Sequence, residues 1–507
     1  MLLKVKALHL IAGKPIAIIH EDTAKWLNLH VGERVRIKRY DRKQEIIAPI
    51  DIAGGGTILD PEDIALSQEI TKELKLRSKE IVDVNPALRP LSIDYIKKKL
   101  RGEPLTFTEI FTIVSDIVNN KLTEAEVAYF VSGVYLKGMN LTEITSLTKS
   151  MVKTGHQLDF HKKIVIDKHS IGGIEGNRTT PIVVSIIAAA IDELKLNAII
   201  PKTSSRAITS AAGTADVIET VAKVEFDINE IRRIINKTNA CLVWGGSLGL
   251  APADDKIIQV ERLLSLDPEP QLIASILSKK LAVNATHVLL DISYGRGAKM
   301  PNIATAKKLK EKFEKVAANL NLAIKVTLTD GSQPIGNGIG PALEMQDIIK
   351  VLRQDVNRPR DLETRAIYLA SALLSFVLNI PEGEASKTCN EILGSGRALS
   401  KFEQIIAAQK GSLAKLDEKL ALGKFKADIL AEDQGTVSEI SNKRMSKIAR
   451  MAGSPADNGA GLFLYKHVGE QVKRNEKLFT IYAETKEKLA YAKRIAERIR
   501  PVIIKKH

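Results

Sequence analysis

Cysteine and aromatic residues are scarce in this 507-residue chain. Cys241 and Cys389 are its two cysteines, too few for a disulfide framework or a cysteine-rich metal site, and this usage fits a reducing compartment. Aromatic residues make up 4% of the sequence, so stacking platforms for single-stranded nucleic acid are hard to build. The nine histidines include no pair at metal-ligand spacing. We therefore expect no metal site.

Long apolar runs are also missing. No run approaches the roughly 18 uncharged apolar residues that a membrane span needs, and residues 1–10 contain no long apolar segment typical of a leader. A hydrophobic content of 44% with 27% charged residues is ordinary for globular proteins. The expectation is a cytoplasmic protein without a membrane partner.

Acidic residues are fewer than basic ones, 60 against 75, which gives a formal net charge of +15. Such an excess favours anionic partners, from nucleotides to nucleic acid. The basic residues are spread along the chain, commonly beside glutamate as in 307–315, and no five-residue basic block is interleaved with aromatics. We therefore expect a small anion rather than nucleic acid, and keep a basic nucleic-acid-binding protein as a remote alternative.

Residues 1–84 predict a small β-rich domain. Its strand candidates are the short apolar runs at 3–8, 15–19, 35–38 and 46–52. Apolar and basic residues alternate from Arg34 to Lys38, which is typical of a strand with one buried face. We interpret the basic face as solvent-exposed, with a nucleic-acid surface as the alternative.

A helical pattern follows the Asn85-Pro86 pair. Residues 85–160 predict a helical domain, which segments near 225–265 are candidates to join. The clearest helix has apolar residues at intervals of three and four, namely Val127, Phe130, Val131, Val134 and Tyr135. A capping box at 123–126 marks its start.

Residues 161–422 predict an α/β domain with a mostly parallel central sheet, because apolar strands alternate with helical patterns. The strand candidates are 164–166, 198–200, 241–244, 287–291 and 324–328. The pattern is mainly helical from about 335 to 420, and a linker is expected near 423–426. Residues 423–507 predict an α+β C-terminal domain, with apolar segments at 461–465 and 478–482. The expected fold class is thus multidomain α/β.

The most informative stretch is 167–181, which reads DKHSIGGIEGNRTTP. An apolar run precedes it, and the apolar run that follows is too long for a typical strand, so we expect a strand-to-helix junction. Thr180 is expected as the N-cap and Pro181 as the first helical residue. A glycine-rich turn that brings backbone N–H groups, a lysine and hydroxyls to one point suits a phosphate. Tight packing at the junction is the alternative.

Three further loops follow predicted strands of the same sheet. Residues 201–216 carry six hydroxyl side chains and one arginine, 245–247 read Gly-Gly-Ser, and 294–299 read Tyr-Gly-Arg-Gly-Ala-Lys. Ligands of parallel α/β sheets bind at the carboxyl ends of the strands. Polar and basic loops at that one edge favour an anion site over unrelated polar turns.

These segments resemble a known family. Residues 167–173 resemble the Lys-His-Ser-Thr-Gly-Gly signature of the thymidine and pyrimidine nucleoside phosphorylases, with Ile171 in place of threonine. Residues 204–216 resemble that family's serine-arginine loop, which ends in Gly-x-x-Asp, and 275–280 match its Ser-Ile-Leu-Ser-Lys-Lys helix. The similarity covers about 90–500. The β-rich N-terminal domain and the Gly-Asn-Arg-Thr of 176–179 resemble the longer branch that contains the archaeal AMP phosphorylases.

The resemblance implies phosphorolysis. Phosphate attacks the anomeric carbon of a nucleoside or nucleoside 5′-monophosphate, giving a free base and a sugar 1-phosphate. Such a pentosyltransferase must hold phosphate near the anomeric carbon and stabilise the charge that grows on the leaving base. The resemblance implies no cofactor, with inorganic phosphate as a co-substrate. It also implies a homodimer or larger homo-oligomer formed through the helical domain.

The resemblance also assigns residues. The phosphate ligands it implies are Lys168, Ser170, Thr179, Thr180, Ser204 and Thr214. The nucleotide-binding residues it implies are Gly173, Ser205, Arg206, Ala207, Ile208, Thr209, Ser210, Thr214, Ser275, Lys279 and Lys299. His169 would lie near the base, and Lys168 and His169 would act in catalysis together with Asp267. Asp267 matches the acid that protonates the leaving purine in AMP phosphorylases, with a helix N-cap ahead of Pro268 as the alternative.

The base-recognition segment departs from the pyrimidine-specific relatives. Those enzymes carry a tyrosine and an arginine where this chain reads 257–262, Ile-Ile-Gln-Val-Glu-Arg. The favoured substrate is therefore an AMP-like nucleotide, and a thymidine or pyrimidine nucleoside phosphorylase is the first alternative. An anthranilate-type phosphoribosyltransferase, which needs Mg²⁺ for its diphosphate donor, is more remote.

Overall fold

The computed structural model describes residues 1–8, 10–40, 44–54, 59–176, 178–207, 210–264 and 266–506. The chain divides into two units. Unit 1 contains Met1–Thr154 and Ala251–Ser275, and unit 2 contains Gly155–Leu250 and Ile276–His507. Unit 1 is thus built from two separate stretches of the chain.

Unit 1 begins with a closed six-stranded barrel of order β1-β5-β2-β4-β3-β6. Its elements are β1 (Leu2–Ala7), β2 (Ala17–His20), α1 (Glu21–Leu27), β3 (Arg34–Arg39), β4 (Glu45–Ala53), β5 (Asp63–Leu66), α2 (Gln68–Glu73) and β6 (Ile81–Pro86). Alternation along β3 buries Val35 and Ile37 inside the barrel. The four predicted strands are confirmed, whereas β5 and β6 were not predicted.

One basic residue of β3 departs from the expected solvent-exposed face. The side chain of Arg34 is 11% exposed and pairs with Glu126, and its Nε donates to the carbonyl oxygen of Lys121 at 2.8 Å. Arg34 is half-buried, and acceptors on Lys121 and Glu126 satisfy its charge and N–H groups.

Four helices follow in unit 1. They are α3 (Ser92–Leu100), α4 (Phe107–Val118), α5 (Glu124–Lys137) and α6 (Leu141–Lys153). Capping boxes start α4, α5 and α6, and the predicted helix with apolar residues from Val127 to Tyr135 is confirmed within α5. Tyr135 is exposed, so it does not belong to the buried face. Lys99 and Glu143 form a buried ion pair at 2.8 Å between α3 and α6.

Unit 2 is built on a five-stranded sheet of order β11-β10-β7-β8-β9, in which all neighbours are parallel. The elements of this part of the chain are β7 (Ile164–Ile171), α7 (Thr179–Glu193), β8 (Ala198–Ser204), α8 (Thr214–Glu219), α9 (Ile228–Thr238), β9 (Ala240–Trp244), a 3₁₀ turn (Gly245–Leu248), α10 (Pro252–Leu264), α11 (Glu269–Ala282), β10 (His287–Tyr294), α12 (Ile303–Asn319) and β11 (Ala323–Asp330). The predicted parallel sheet and all five of its strands are confirmed.

Two boundaries at the central strand differ from the predictions. β7 continues to Ile171, because its backbone pairs in register with β10 as far as Ile292, so Lys168 and Ser170 lie on a strand rather than in the turn. α7 begins at Thr179 instead of Pro181, and its N-cap is Arg178 instead of Thr180. The predicted cap fails because the Thr180 hydroxyl accepts from the ammonium of Lys168 instead of a helix N–H.

The second stretch of unit 1 supplies α10. Ala253, Ile257 and Val260 of α10 are buried in the same apolar core as residues of α4 and α5. This helix therefore completes the helical layer from a point much later in the chain.

Helices cover the sheet of unit 2. The short strand β12 (Gly338–Ile339) comes first. The helices that follow it are α13 (Pro341–Leu352), α14 (Arg360–Leu378), α15 (Glu382–Gly394), α16 (Arg397–Ala408) and α17 (Leu416–Lys419). Residues of α7, α13, α14, α15 and α16 share one core with the sheet. The mainly helical character of 335–420 is confirmed.

The remaining residues form what we call the C-terminal layer, 425–505. Its elements are β13 (Phe425–Leu430), β14 (Gly435–Ile440), α18 (Asn442–Ala452), β15 (Gly461–Leu464), β16 (Gln471–Val472), β17 (Lys477–Ala483), α19 (Lys486–Ile499) and β18 (Val502–Lys505). Two sheets result, β12-β15-β17-β13 and β16-β14-β18.

The linker expected near 423–426 is wrong. Phe425 already pairs with Ala483 in the sheet, and Gly423 donates its N–H to Gly459 at 2.8 Å, so this backbone is bonded to the C-terminal layer. The finer division at 84, 160 and 422 stays a prediction. Among the helices of the described ranges, none is both long and apolar enough to span a membrane.

Candidate active site

Lys168 is the centre of a polar cluster at the carboxyl end of β7. Its side chain is fully buried, and its ammonium donates to Ser170 Oγ at 2.5 Å, Thr179 Oγ1 at 2.8 Å and Thr180 Oγ1 at 3.1 Å. Lys168 and Ser170 share a face of the strand because side chains alternate, and the two threonines open α7. We call these four residues the cradle. They are four of the six predicted phosphate ligands, and the fold brings them together.

Two residues that the sequence did not indicate complete the cradle's polar network. Asp291 on β10 is fully buried, accepts from Ser170 Oγ at 3.1 Å and accepts from Thr329 Oγ1 at 2.6 Å. Asp291 faces Ser170 because the two residues are register partners. The one indication of Asp291 in the sequence was a carboxylate at the end of the apolar strand candidate 287–291.

Burial and charge act on Lys168 in opposite directions. Burial lowers the pKa of Lys168 to about 8, while the negative charge of Asp291 opposes that shift. A buried ammonium with three hydroxyl partners is a strong site for a small dianion. Burial disfavours the charged ammonium, and the negative charge of a bound phosphate would stabilise it.

The neighbouring strand residues belong to a second cluster of charges. Asp167 is fully buried, with one carboxylate oxygen 2.7 Å from the ammonium of Lys280 and the other 3.8 Å from that of Lys202. Burial is the main reason that the pKa of Lys202 is lowered to about 7. Lys202 and Lys280 were not predicted as site residues, although Lys202 falls in the predicted loop 201–216 and Lys280 in the helix motif 275–280. The structure places Lys202 on β8 and Lys280 on α11.

His169 sits next to this excess of positive charge. Burial is the first cause, and the positive charges of Lys280, Lys202, Lys279 and Lys168 the second, that hold its pKa well below its ordinary value. The imidazole is therefore neutral at neutral pH, so it can form hydrogen bonds but does not add a positive charge to the cluster.

The glycine turn after β7 holds a carboxyl group. The N–H of Gly173 hydrogen-bonds the side chain of Glu175, whose pKa is raised, mainly by burial. A Cβ at Gly172 would lie 3.0 Å from Oε1 of that glutamate, so a larger residue would crowd the carboxyl group. Gly173, predicted to touch the nucleotide, thus lies in a turn that already binds a carboxyl group.

The serine-arginine loop connects β8 to α8. Ser204 ends β8, and its hydroxyl is buried without a hydrogen-bond partner among the described residues. Asp216 organises the loop, since one of its oxygens accepts from the N–H of Ala207 at 2.7 Å and of Gly213 at 2.8 Å. A Cβ at Gly213 would collide with the backbone of Ser205. Thr214 is the first residue of α8.

The structure describes three of the other predicted residues of this loop, Ser205, Ala207 and Ser210. Ser205 is exposed and Ala207 half-buried, and Ser210 donates to the carbonyl oxygen of Ala212 at 3.1 Å. The predicted Ile208 and Thr209 lie outside the described residues.

Arg206 is engaged by acidic side chains. Its guanidinium pairs with Glu219 at 2.8 Å, Glu225 at 3.0 Å and Asp216 at 3.4 Å, and it lies 4.9 Å from the ring of Trp244. These contacts hold the loop to α8 and β9.

Four predicted residues come from later in the chain. Lys279 is half-buried on α11, and Lys299 is exposed in the turn after β10; both belong to unit 2. Asp267 is exposed between α10 and α11, and Ser275 donates to Asp254 at 2.9 Å; both belong to unit 1. The cradle therefore lies in unit 2, and the proposed acid lies in unit 1.

No group of three or more His, Cys, Asp or Glu side chains that could hold a metal ion occurs in the described ranges. The cations of the cluster are instead lysines, with Asp167 and Asp291 as their buried counter-charges. This donor set suits an anion.

Comparison with known proteins agrees with this chemistry. Residues 93–155 match the helical bundle domain of the glycosyl transferase family, residues 162–399 its a/b domain, and residues 436–501 the pyrimidine nucleoside phosphorylase C-terminal domain. The cradle, the serine-arginine loop and β7 to β11 all lie in the second match.

Full-length relatives are also found. The chain is 41% identical over 504 residues to an AMP phosphorylase of Pyrococcus furiosus and 40% identical over 502 residues to one of Methanococcus maripaludis, covering 99% of this chain and 97% of each relative. The structure of an anthranilate phosphoribosyltransferase from Thermus thermophilus aligns with a TM-score of 0.51 at 16% identity, over 63% of this chain and 100% of that one. That likeness shows a shared fold.

Identity at this level over the whole length confirms the resemblance inferred from the motifs. The chain belongs to the glycosyl transferase family of nucleoside and nucleotide phosphorylases, together with the AMP phosphorylases.

Proposed function

We propose that the protein catalyses phosphorolysis of the N-glycosidic bond of a nucleoside 5′-monophosphate, with an AMP-like nucleotide as the favoured substrate. The observation that carries this proposal is the buried ammonium of Lys168 ringed by three hydroxyls. Such a site binds a small, highly charged oxyanion and excludes water from it. The names of the full-length relatives support a nucleotide as the second substrate.

The reaction divides among few groups. A phosphate oxygen forms a bond to the anomeric carbon as the C–N bond breaks, and the electron pair of that bond leaves with the base. The cradle, with Ser204 and Thr214, holds the phosphate, whose negative charge stabilises the oxocarbenium-like sugar. His169 contacts the base as a neutral imidazole, and Asp267 donates the proton that neutralises the leaving purine.

Substrate contacts beyond the cradle follow the family pattern. Gly173, the 205–210 segment and Ser275 line the nucleotide site, together with Lys279 and Lys299. The cation of Lys299 is suited to a 5′-phosphate. Inorganic phosphate is the co-substrate, and we propose that the enzyme needs neither metal nor organic cofactor and works in the cytoplasm as a homodimer or larger homo-oligomer.

Base release measures the proposed activity directly. Purified protein is incubated with phosphate and AMP, CMP, UMP, adenosine, thymidine or uridine, and we expect AMP to be cleaved fastest. Lys168→Ala should lower the rate by about a hundredfold or more, because it removes the charge that holds phosphate. Lys237→Ala, at an exposed position on α9, is the control and should retain full activity.

Two observations support alternative activities. The match of residues 436–501 to the pyrimidine nucleoside phosphorylase C-terminal domain favours thymidine or uridine, and turnover of either far above every monophosphate would overturn the nucleotide preference. An anthranilate-type phosphoribosyltransferase stays the more remote candidate, because the structure of such an enzyme shares this fold. Complete loss of activity with a chelator would favour that second candidate.

A further inference from the structure

Arg178, the residue before the two cradle threonines, is buried in an acidic environment. Its side chain is 0% exposed. Its Nη2 lies 3.4 Å from Glu344 Oε1, and its Nη1 lies 4.0 Å from Asp347 Oδ2. Both acids are on α13. The guanidinium is therefore engaged by α13, and Arg178 is also the N-cap residue of the helix that carries Thr179 and Thr180.

The same two acids hold a second segment, 335–340. Asp347 Oδ2 accepts from the N–H groups of Asn337 and Gly338, each at 2.7 Å, and Glu344 Oε1 accepts from the N–H of Gly340 at 3.2 Å. Arg178 and segment 335–340 thus share one pair of carboxylates.

Segment 335–340 is also bonded directly to the turn before the cradle threonines. The N–H of Ile335 donates to the carbonyl oxygen of Ile174 at 3.2 Å, and Arg178 Nη1 donates to the carbonyl oxygen of Ile335. Hydrogen bonds therefore run in both directions between the two segments. Gly336 fits between them, since a Cβ there would lie 3.3 Å from Arg178 Cδ.

The C-terminal layer fixes the far side of segment 335–340. β12 pairs with β15, Leu464 donates its N–H to the Asn337 carbonyl oxygen at 2.8 Å, and Asn337 Oδ1 lies 2.9 Å from His467 Nε2. Ile174, from the glycine turn, is buried within the apolar core of this layer. A continuous path of contacts thus leads from the C-terminal layer to the start of α7.

A buried ion cluster is a poor source of net stability. Replacing such a cluster with apolar residues is often neutral or stabilising, whereas removing one member leaves an unpaired charge. A fixed arrangement of the segments it joins is a better reason to retain it. The hydroxyls of Thr179 and Thr180 are the groups whose arrangement Arg178 controls most directly, because these two residues follow it in the chain.

We propose that Arg178 is a positioning residue for phosphate binding, which fixes the cradle threonines to segment 335–340 and through it to the C-terminal layer. The inference rests on the proposed function, because it takes the cradle as the phosphate site. It also assigns a role to the C-terminal layer, which stabilises the position of the anion site at the end of the α/β sheet.

Phosphate binding without nucleotide tests this role. Calorimetric titration of full-length protein with inorganic phosphate should give a Kd at least about tenfold higher for Arg178→Met than for the unchanged protein, because small displacements of positioned groups are costly. Arg178→Lys keeps the charge and should recover part of the affinity. In steady-state assays KM for phosphate should rise while KM for nucleotide stays within about twofold.

The matched control is Lys401 on α16, whose ion pair holds the opposite end of α7. Lys401 is 4% exposed and pairs at 2.5 Å with Asp192 near the end of α7. Lys401→Met should lower the melting temperature, as Arg178→Met does, yet leave the Kd for phosphate within about twofold. Equal effects of the two substitutions on that Kd would overturn the inference. If Arg178→Met does not fold, Arg178→Lys decides, and an unchanged Kd for phosphate then refutes the role.

Failure of the inference is distinguishable from failure of the proposed function. If Lys168→Ala loses phosphate binding while Arg178→Met retains it, the cradle stands and only the positioning role falls. If the unchanged protein binds no phosphate, or Lys168→Ala binds it equally well, the proposed function falls.

Discussion

At the scale of the residue, Lys168 shows how burial prepares a site for its ligand. Its pKa is lowered to about 8 because the ammonium is buried, and Asp291 supplies the largest opposing effect. A phosphate dianion against the ammonium would raise that pKa again, because a nearby opposite charge favours the charged form. Above pH 8 the protein must therefore bind a proton together with phosphate.

We expect the affinity for phosphate to fall as pH rises above about 8, approaching tenfold per pH unit. Below that pH Lys168 is already protonated, so its contribution to the pH dependence vanishes. Titrations between about pH 6 and about pH 10, in buffers of different ionisation enthalpy, measure both the Kd and the protons taken up. Lys168→Arg, which stays charged, should lose this inflection and separates it from that of Lys202, whose pKa is lowered to about 7. A constant Kd above pH 8 in the unchanged protein would contradict the prediction.

The cradle residues could be predicted because they lie in one short stretch whose lysine and hydroxyls suit an anion, and because the family resemblance assigns them to phosphate. Asp291 could not be predicted as their partner. It lies 121 residues from Ser170, and its place beside that hydroxyl depends on the register between β7 and β10, which no local pattern specifies. Arg178 was visible in the sequence, but its burial depends on two acids of a distant helix.

At the scale of the element, the serine-arginine loop is held by the helix that follows it. One oxygen of Asp216, in the first turn of α8, accepts from two backbone N–H groups of the loop. The loop's backbone conformation therefore depends on a side chain that faces away from solvent. Polar loops without such a bond are ordinarily mobile.

Asp216→Ala should raise KM for the nucleotide by about tenfold, because the half-buried N–H of Ala207 and the buried N–H of Gly213 lose their acceptor. The loss should cost about 1–3 kcal/mol for the buried group. Asp227→Ala is the matched control. Asp227 caps α9 by accepting from Glu230 N at 2.8 Å, so its loss should cost about 0.5–2 kcal/mol of stability and leave KM unchanged. Steady-state kinetics and thermal melts of both variants give the comparison. A similar change of KM in the two variants would exclude a specific role for Asp216.

The existence of the sheet strands could be predicted from apolar runs, but their ends could not. β7 and β10 both extend into polar residues because the neighbouring strands continue the hydrogen-bond ladder. The same effect turned the expected linker into β13, whose partner β17 lies about 50 residues later. Tertiary pairing, rather than local composition, decides these boundaries.

At the scale of the whole molecule, the α/β sheet and the C-terminal layer are joined through the anion site. Ile174 of the glycine turn and Ala211 of the serine-arginine loop are buried in the same core as Leu462 and Phe479 of the layer. The multidomain class could be predicted from the changing periodicity. This sharing of a core could not, because both residues lie in segments with no strong apolar pattern.

Leu462→Ala should therefore weaken phosphate binding as well as stability. The cavity should cost about 2–5 kcal/mol, and calorimetric scans with and without phosphate should show a smaller stabilisation by the ligand. Ile37→Ala, in the fully buried core of the N-terminal barrel, is the control and should lower stability without changing the Kd for phosphate. If Leu462→Ala melts the C-terminal layer in a separate, earlier transition that phosphate does not affect, the shared core carries no coupling.

The interrupted chain of unit 1 has a consequence during synthesis on the ribosome. α6 ends at Lys153, and α10, which packs into the same core as α4 and α5, ends only at Leu264. At about 5–20 residues per second, the nascent helices wait roughly 5 to 20 s for this partner, while the first strands of the parallel sheet emerge. During that interval an apolar face of α4 and α5 is uncovered. We therefore expect a chaperone that binds apolar segments to bind the nascent chain at α4 and α5.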